Sequence, residues 1–227
     1  MTTLFVTSSG TDIGKTFVTV RLVAELMTAG FRTRALKPVA SGFTAATAGD
    51  SDSGALLRAQ GLELTAANFD LISPWRFAAP LSPDMAATRE HRSIPFPTLV
   101  DFCRAPSTAD VTLIEGIGGV MVPLDAEHTV LDWIVTLGAP VLLVVGSYLG
   151  TLSHSLTAVA ALRARGAALA GVVVSESTEQ PVAAVETAAA LQRFLQPTAV
   201  RVLPRSAPAG TAPLLPLLEP YLTAALR

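Results

Sequence analysis

Two lysines, two carboxylates and a glycine-rich turn stand where this sequence could handle phosphate. Ser8, Ser9, Gly10, Thr11, Asp12, Ile13, Gly14, Lys15 and Thr16 end on the Gly-Lys-Thr of a phosphate-binding loop. The usual pattern, G-x-x-x-x-G-K-[ST], asks for glycine where Ser9 stands. An apolar run at residues 4–7 precedes the turn and a helical pattern begins at Lys15. Backbone N–H groups that open a helix lack partners within it and suit an anion. In that setting Lys15 would meet the β- and γ-phosphates of a nucleotide and the Thr16 hydroxyl would meet Mg²⁺. Lys37 closes a second apolar run, just before Pro38, and so projects at the same sheet edge. Two fixed cations beside one triphosphate suit chemistry at the γ-phosphate, where charge develops. Glu115 closes the run VTLIE, and ligands of open α/β sheets gather at such strand ends. Gly116, Gly118 and Gly119 follow it and leave room beside the backbone. Asp52 is a second acid for the metal; taken alone it reads equally as the cap of a helix over 53–60.

The elements that must position these residues are legible as apolar runs. Residues 4–7, 34–39, 111–116, 140–146, 171–177 and 199–204 read as buried strands. Helical patterns fall at 15–29, with Phe17, Val20, Val23, Ala24 and Met27 as its apolar spacing, and near 53–60, 129–137, 151–165 and 181–195. A last helix is expected over 211–226, bent or broken at Pro216 and Pro220. Residues 42–54 read as a loop. The proline-rich stretch 68–98 reads as an ordered excursion with few regular periods, since Trp75, Phe77 and Phe96 need burial. Apolar, non-alternating strands separated by helices predict a mainly parallel sheet with helices on both faces.

Composition narrows the function classes. The 227 residues are 50% hydrophobic with a mean hydropathy of +0.50, enough for one large α/β core over the whole length, 1–227. None of the apolar runs approaches the ~20 residues that span a bilayer, and the opening MTTLFVTSSG lacks the basic region of a secretory signal. Sixteen basic against eighteen acidic residues, with no basic block, give no reason to expect nucleic acid or a membrane surface as partner. The single Cys103 fits packing in a reducing, cytoplasmic setting. His91, His128 and His154 lack ligand-like spacing; His91 and His128 read as surface residues and His154 as a local hydrogen-bonding group.

SSGTDIGKT, ALKPVASG, the Asp52 of DSDS, PLSP at 80–83, VTLIEGIGG and VVGSYLGTLSH occur here in the order and spacing of the dethiobiotin synthetase family, which the chain resembles from residue 4 to about 175. That resemblance implies a P-loop NTPase-like three-layer α/β fold. It also implies an ATP- and Mg²⁺-dependent cyclo-ligase that converts 7,8-diaminononanoate and CO₂ (or bicarbonate) to dethiobiotin, ADP and phosphate in biotin synthesis. By the same resemblance Lys37 would hold the carbamate and the transferring phosphoryl group, with Lys15 on the β- and γ-phosphates. Thr16, Asp52 and Glu115 would position Mg²⁺, and Thr11 and Ser41 would meet phosphate or carbamate oxygens. The nucleotide would lie along Thr11, Asp12, Ile13, Gly14, Lys15, Thr16 and Phe17, beside Asp52, Glu115, Gly116, Ile117 and Gly118. Its base would meet Ser175, Glu176 and Pro204.

Members of the family are homodimers, and Gly150, Thr151, Leu152 and Ser153 match the helix start that meets the substrate carboxylate across the interface. In the family the first loop usually reads G-T-x-T-x-V-G-K-T, one residue longer than the standard pattern. The missing glycine at Ser9 is therefore expected, and the departure is Ser8 in place of glycine. A second departure is Ser175, where better-known members carry an asparagine that bonds adenine. Two other readings stay open. One is a partitioning or nitrogenase-iron-protein type of P-loop ATPase, whose loops begin with an additional lysine. The other is a non-catalytic nucleotide-sensing or assembly domain, which should have lost Lys37, Asp52 or Glu115; all three are present.

Overall fold

The computed structural model describes residues 2–206, 208 and 210–222. In chain order, β1 (Thr2–Ser8) leads through α1 (Lys15–Thr28) to β2 (Thr33–Leu36) and the short β3 (Val39–Ala40). Helices α2 (Asp52–Ala59) and α3 (Ala66–Ile72), strand β4 (Trp75–Arg76), and helices α4 (Pro83–Arg89) and α5 (Phe96–Arg104) then precede β5 (Val111–Glu115). The remaining elements are α6 (Val130–Leu137), β6 (Val141–Val145), α7 (Thr151–Ala164), β7 (Leu169–Ser175), α8 (Ala184–Leu195) and β8 (Val200–Leu203). A 3₁₀ turn (Leu215–Leu217) and α9 (Glu219–Leu222) follow.

Six strands form one parallel sheet in the order β2-β5-β1-β6-β7-β8, and five of them match the expected runs. The run expected over 34–39 divides, ending as β2 at Leu36 and resuming as β3 in a separate pair with β4, so Lys37 stands just beyond β2. The chain winds one way from β1 to β2 and the other way from β6 to β8. From β2 through β5 to β6 the chain already runs in that second direction. Because parallel crossovers are right-handed, α1 covers one face while α6, α7 and α8 cover the other. Every residue of β5 and β6 is buried, which is why those runs are continuous rather than alternating. On one face Phe5 of β1 meets Trp133 of α6 edge-on, with ring centroids 4.8 Å apart. β1 lies at the switch point, flanked by β5 and β6, so its C-terminal end opens into the crevice between the two halves.

Three expectations change. In α1 the buried stripe is Val18, Leu22, Val23 and Leu26, while Phe17 (39% exposed) and Met27 (47%) face outward. The helix carries two apolar stripes, and periodicity alone does not say which one the sheet takes. Within 68–98 the chain forms most of α3, all of α4 and the start of α5 where few regular periods were read. Pro83 is the first residue of α4 and Pro97 the second of α5, where a missing N–H is harmless, so these prolines start helices instead of ending them. The helix expected over 211–226 is reduced to the 3₁₀ turn and α9, with Pro216 and Pro220 inside them; its last part lies outside the described residues. Phe77 is fully buried, and Trp75 and Phe96 are half-buried, as their size demands.

β3 and β4 pair in parallel, Val39 with Trp75 and Ala40 with Arg76. The pairing continues as Gly42 N–H to Ala79 O and Phe43 N–H to Phe77 O. This small ladder ties the segment after Lys37 to the 80–83 segment. Among the described residues no helix is long and apolar enough to cross a membrane.

Candidate active site

The first loop runs from the end of β1 to Gly14, which caps α1 in the left-handed region at φ +102°, a conformation that favours glycine. Among the described residues no side chain caps α1, so its first N–H groups remain available to an anion. Gly119 lets the loop after β5 approach closely: a Cβ there would sit 3.2 Å from the Gly10 nitrogen. The two loops therefore form one wall.

Behind that wall the charged residues converge. The Lys37 ammonium, 2% exposed, donates to Glu115 Oε1 at 2.7 Å and to the Gly116 carbonyl at 2.9 Å. It also lies 3.1 Å from Asp52 Oδ2. The Thr16 hydroxyl donates to the same Glu115 Oε1 at 2.7 Å. Glu115 is fully buried, and its Oε2 lacks a hydrogen-bond partner among the described residues. Burial opposes the charge on Lys37, but Glu115 and Asp52 outweigh it and hold the ammonium above its ordinary value. For Asp52 burial acts upward, yet Lys37 and Thr16 draw the carboxyl below the usual range. Lys15, 7% exposed, pairs with no acid among the described residues; burial and then the Lys37 charge pull it down to about 8. A desolvated cation without a close counter-ion is a site prepared for an anion.

Asp52 is the first residue of α2, and Ser51, whose Oγ accepts from Gly54 N–H, is its cap. The cap alternative for Asp52 falls; its carboxylate faces Lys37 instead.

The cavities sort the remaining residues. One of about 280 Å³ is lined by Asp12, Gly14, Lys15, Thr16, Asp52 and Arg205. A second, of about 510 Å³, holds Thr11, Asp12, Ser41, Ile117, Gly118, Val122 and the 80–83 segment delivered by the β3–β4 ladder. A third, of about 740 Å³, runs from residues 9–13 to Tyr148, His154, residues 176–179 and Arg205. Thr11 borders the second and third, and Asp12 borders all three.

Other expected residues stand apart from these cavities or have their polar groups engaged elsewhere. Phe17 lines none of the three. Ser175 is buried (6% exposed) with its hydroxyl against Gly14, and Pro204 is half-buried at the end of β8. Glu176 reaches the third cavity, but its oxygens accept from Gln180 Nε2 at 3.1 Å and Arg205 N–H at 3.0 Å. Gly150, Leu152 and Ser153 are exposed at the start of α7, while Thr151 is buried and donates to Gly146 O at 2.8 Å; none of the four lines the cavity that holds Ser41.

Among the histidines, His154 pairs locally with Tyr148 Oη at 2.9 Å. His91 is exposed, and His128, read as a surface residue, is half-buried and stacked on Phe96 with centroids 4.0 Å apart. Arg205, Val122 and Tyr148 line these cavities without having been singled out. Arg205 follows the last sheet strand, and the strand-end rule that found Glu115 would have found it.

The profile of the AAA domain family matches residues 2–210. The chain is 49% identical over 203 residues to the ATP-dependent dethiobiotin synthetase of Acidiphilium cryptum, covering 87% of this chain and 90% of that one. It is 48% identical over 210 residues to the corresponding synthetase of Methylobacterium nodulans, covering 89% and 92%. Among solved structures it resembles the hydrogenase maturation factor HypB of Archaeoglobus fulgidus, with a TM-score of 0.55 at 13% identity over 98% of this chain and 90% of that one. It also resembles the septum site-determining protein MinD of Pyrococcus horikoshii, at 0.53 and 15% over 99% and 86%. At such identities these two speak for the fold alone, a parallel sheet with helices on both faces.

Proposed function

The chain belongs to the ATP-dependent dethiobiotin synthetase family, and on that premise we propose that it uses ATP to carboxylate 7,8-diaminononanoate and close the ureido ring of dethiobiotin. The observation that carries the reading is the cluster of Lys37, Glu115, Thr16 and Asp52 beside the uncapped start of α1. One amine takes up CO₂ as a carbamate and loses a proton. A carbamate oxygen attacks the γ-phosphorus and the bond to ADP breaks. The second amine then attacks the carbonyl carbon of the mixed anhydride, phosphate leaves, and the ring is closed. A side-chain nucleophile is not needed, so the protein acts by positioning and by charge.

In this scheme Lys37 faces the carbamate and the transferring phosphoryl group, where negative charge moves during the reaction. Lys15 meets the β- and γ-phosphates from the 280 Å³ cavity. Thr11 and Ser41, in the 510 Å³ cavity, hold the carbamate end of the diamine, and the 80–83 segment walls its chain. Ile13, Gly14 and residues 116–118 present backbone to the phosphates, and the third cavity takes the nucleoside with Glu176 and Arg205 at its rim. Thr16, Asp52 and Glu115 would hold Mg²⁺. The buried Glu115 Oε2 without a partner fits a cation or its water, and hydroxyl, carboxylate and phosphate oxygens form the donor set Mg²⁺ prefers. When bound, Mg²⁺ neutralises charge on the β- and γ-phosphate oxygens.

The start of α7 lies outside the chain's own Ser41 cavity, which agrees with residues 150–153 serving the carboxylate of a diamine bound to the second subunit of a homodimer. Leu149 (84% exposed), Met121 (59%) and Leu152 (42%) give that region an apolar face for such a partner. The setting is the cytoplasm, where ATP is supplied.

The deciding experiment is phosphate release from MgATP with the diamine and bicarbonate added singly and together. Turnover that needs both supports the reading. ATP hydrolysis indifferent to both would turn the assignment toward a partitioning-type ATPase.

A further inference from the structure

Ser8 ends β1 with its side chain fully buried at the centre of the nucleotide loop. The Lys15 ammonium lies 3.1 Å from Ser8 Oγ, and Ser8 Oγ lies 2.9 Å from the Gly118 carbonyl, with the Gly10 carbonyl also in contact. An ammonium only donates, and a hydroxyl has one proton to give, so the polarity is fixed. Lys15 donates to Ser8, and Ser8 shares its single proton between the Gly10 and Gly118 carbonyls. Among the described residues the other acceptor for the ammonium is the Gly10 carbonyl, at a long 3.5 Å. Lys37, for its part, donates to the Gly116 carbonyl at 2.9 Å. Both lysines are thus tied to the loop that follows β5, Lys37 directly and Lys15 through the Ser8 hydroxyl. Ser8 and Gly10 use two of the three ammonium protons, and the third is left for the cavity that Lys15 lines with Thr16 and Asp52.

We propose that Ser8 is a positioning residue for Lys15, whose hydroxyl fixes the ammonium against Gly118 so that the nucleotide phosphates meet a cation already in place. The inference rests on the nucleotide reading of this loop. It asks nothing of the diamine or of ring closure. A cation held in advance loses less freedom when its anion arrives, and that saving appears as affinity. A merely structural Ser8 would fill space in β1 and act the same whatever stands at position 15.

A double-mutant cycle separates the two roles. ADP affinity is measured calorimetrically at fixed Mg²⁺ for Ser8→Ala with Lys15 present and again in a Lys15→Ala background. A hydrogen bond to a charged group is involved, so Ser8→Ala should weaken ADP by about tenfold when Lys15 is present and by less than about twofold when it is absent. Ser8→Cys, whose larger sulfur leaves no hole but accepts hydrogen bonds weakly, should follow Ser8→Ala, and it guards against a cavity effect in the alanine variant. Ser8→Thr, which restores the hydroxyl, should regain most of the loss. In steady state the Ser8→Ala loss should fall on KM for ATP and on kcat while KM for the diamine stays put. Equal losses in both backgrounds, or none in either, would overturn the role of Ser8 and leave the proposed reaction standing. Failure of the ring-closure assay would instead leave this cycle readable, because ADP binding alone decides it.

Discussion

Lys37 answers two demands with one ammonium. It pairs with both Glu115 and Asp52 in the resting protein, and its place just beyond the strand end suits the charge that moves in the transition state. The first demand is structural, since removing one partner of a buried pair commonly costs about 3–5 kcal/mol. Gln is therefore the informative replacement, because its amide can still donate toward Glu115. Lys37→Gln should lower kcat by ~10²–10³, while ADP affinity, which leans on Lys15 and the start of α1, should stay within about threefold. A near-normal kcat would remove Lys37 from the mechanism. Asp52→Asn and Glu115→Gln should each raise the Mg²⁺ concentration needed for half-maximal rate, read from Mg²⁺ titrations at saturating ATP. An unchanged requirement in the Asp52 variant would reduce that residue to a counter-ion of Lys37. These charged groups were legible in the sequence because a short local pattern places each one: a strand end, a Gly-Lys-Thr turn, a glycine run. The Ser8 contact was not legible, because its acceptor Gly118 lies 110 residues away and only the β1–β5 register brings them together.

Among the elements, long apolar strands could be read directly, whereas helix faces and the C-terminal segment depended on tertiary choices. Glu25 of α1 shows why. One carboxylate oxygen accepts from both Leu214 N–H and Leu215 N–H at 2.8 Å, and the other pairs with Arg21 Nε at 3.1 Å. Arg21 in turn donates to the Pro208 carbonyl at 2.6 Å. An acid in a distant helix thus holds the N–H groups that begin the 3₁₀ turn, and sequence pattern does not announce such a pairing. Glu25→Ala should destabilise the protein by about 2 kcal/mol, from two charge-assisted bonds partly replaced by water. For a chain of this size that is a fall in Tm of roughly 4–8 °C. A shift under 1 °C in thermal unfolding would show the staple to be idle. The end of β7 makes a separate point. Serine lacks the amide that pairs with adenine N6 and N7 together, Ser175 packs against Gly14, and the Glu176 oxygens are already engaged. With base selection weakened, CTP and GTP should support turnover within about tenfold of ATP in kcat/KM. A preference for ATP beyond about a hundredfold, with all four triphosphates compared, would refute this.

For the whole molecule, the buried Cys103 reports on cooperativity. Burial pushes its thiol up to about 12, against weaker pulls from Trp133 and Arg34. An unfolded chain would titrate this thiol near 8.5. Because the folded value is the higher one, the fold favours the protonated form. That contribution is complete below about pH 8.5 and is lost as pH climbs toward 12. In the native protein at pH 8.5 the thiol should resist a disulfide reagent and react only through opening, so that ADP slows the labelling. Fast, ADP-independent labelling would mean that the core around α5 opens without the rest. The sheet order has a further consequence, for biogenesis. β1 carries the nucleotide loop, yet its two neighbours pair with it only at Val111 and beyond and at Val141 and beyond. A ribosome therefore makes the loop early and its supporting walls late. A nascent chain ending before β6 holds the whole Gly-Lys-Thr sequence without the sheet that shapes it, and ATP in the surrounding solution can stabilise only chains whose synthesis is well past their midpoint.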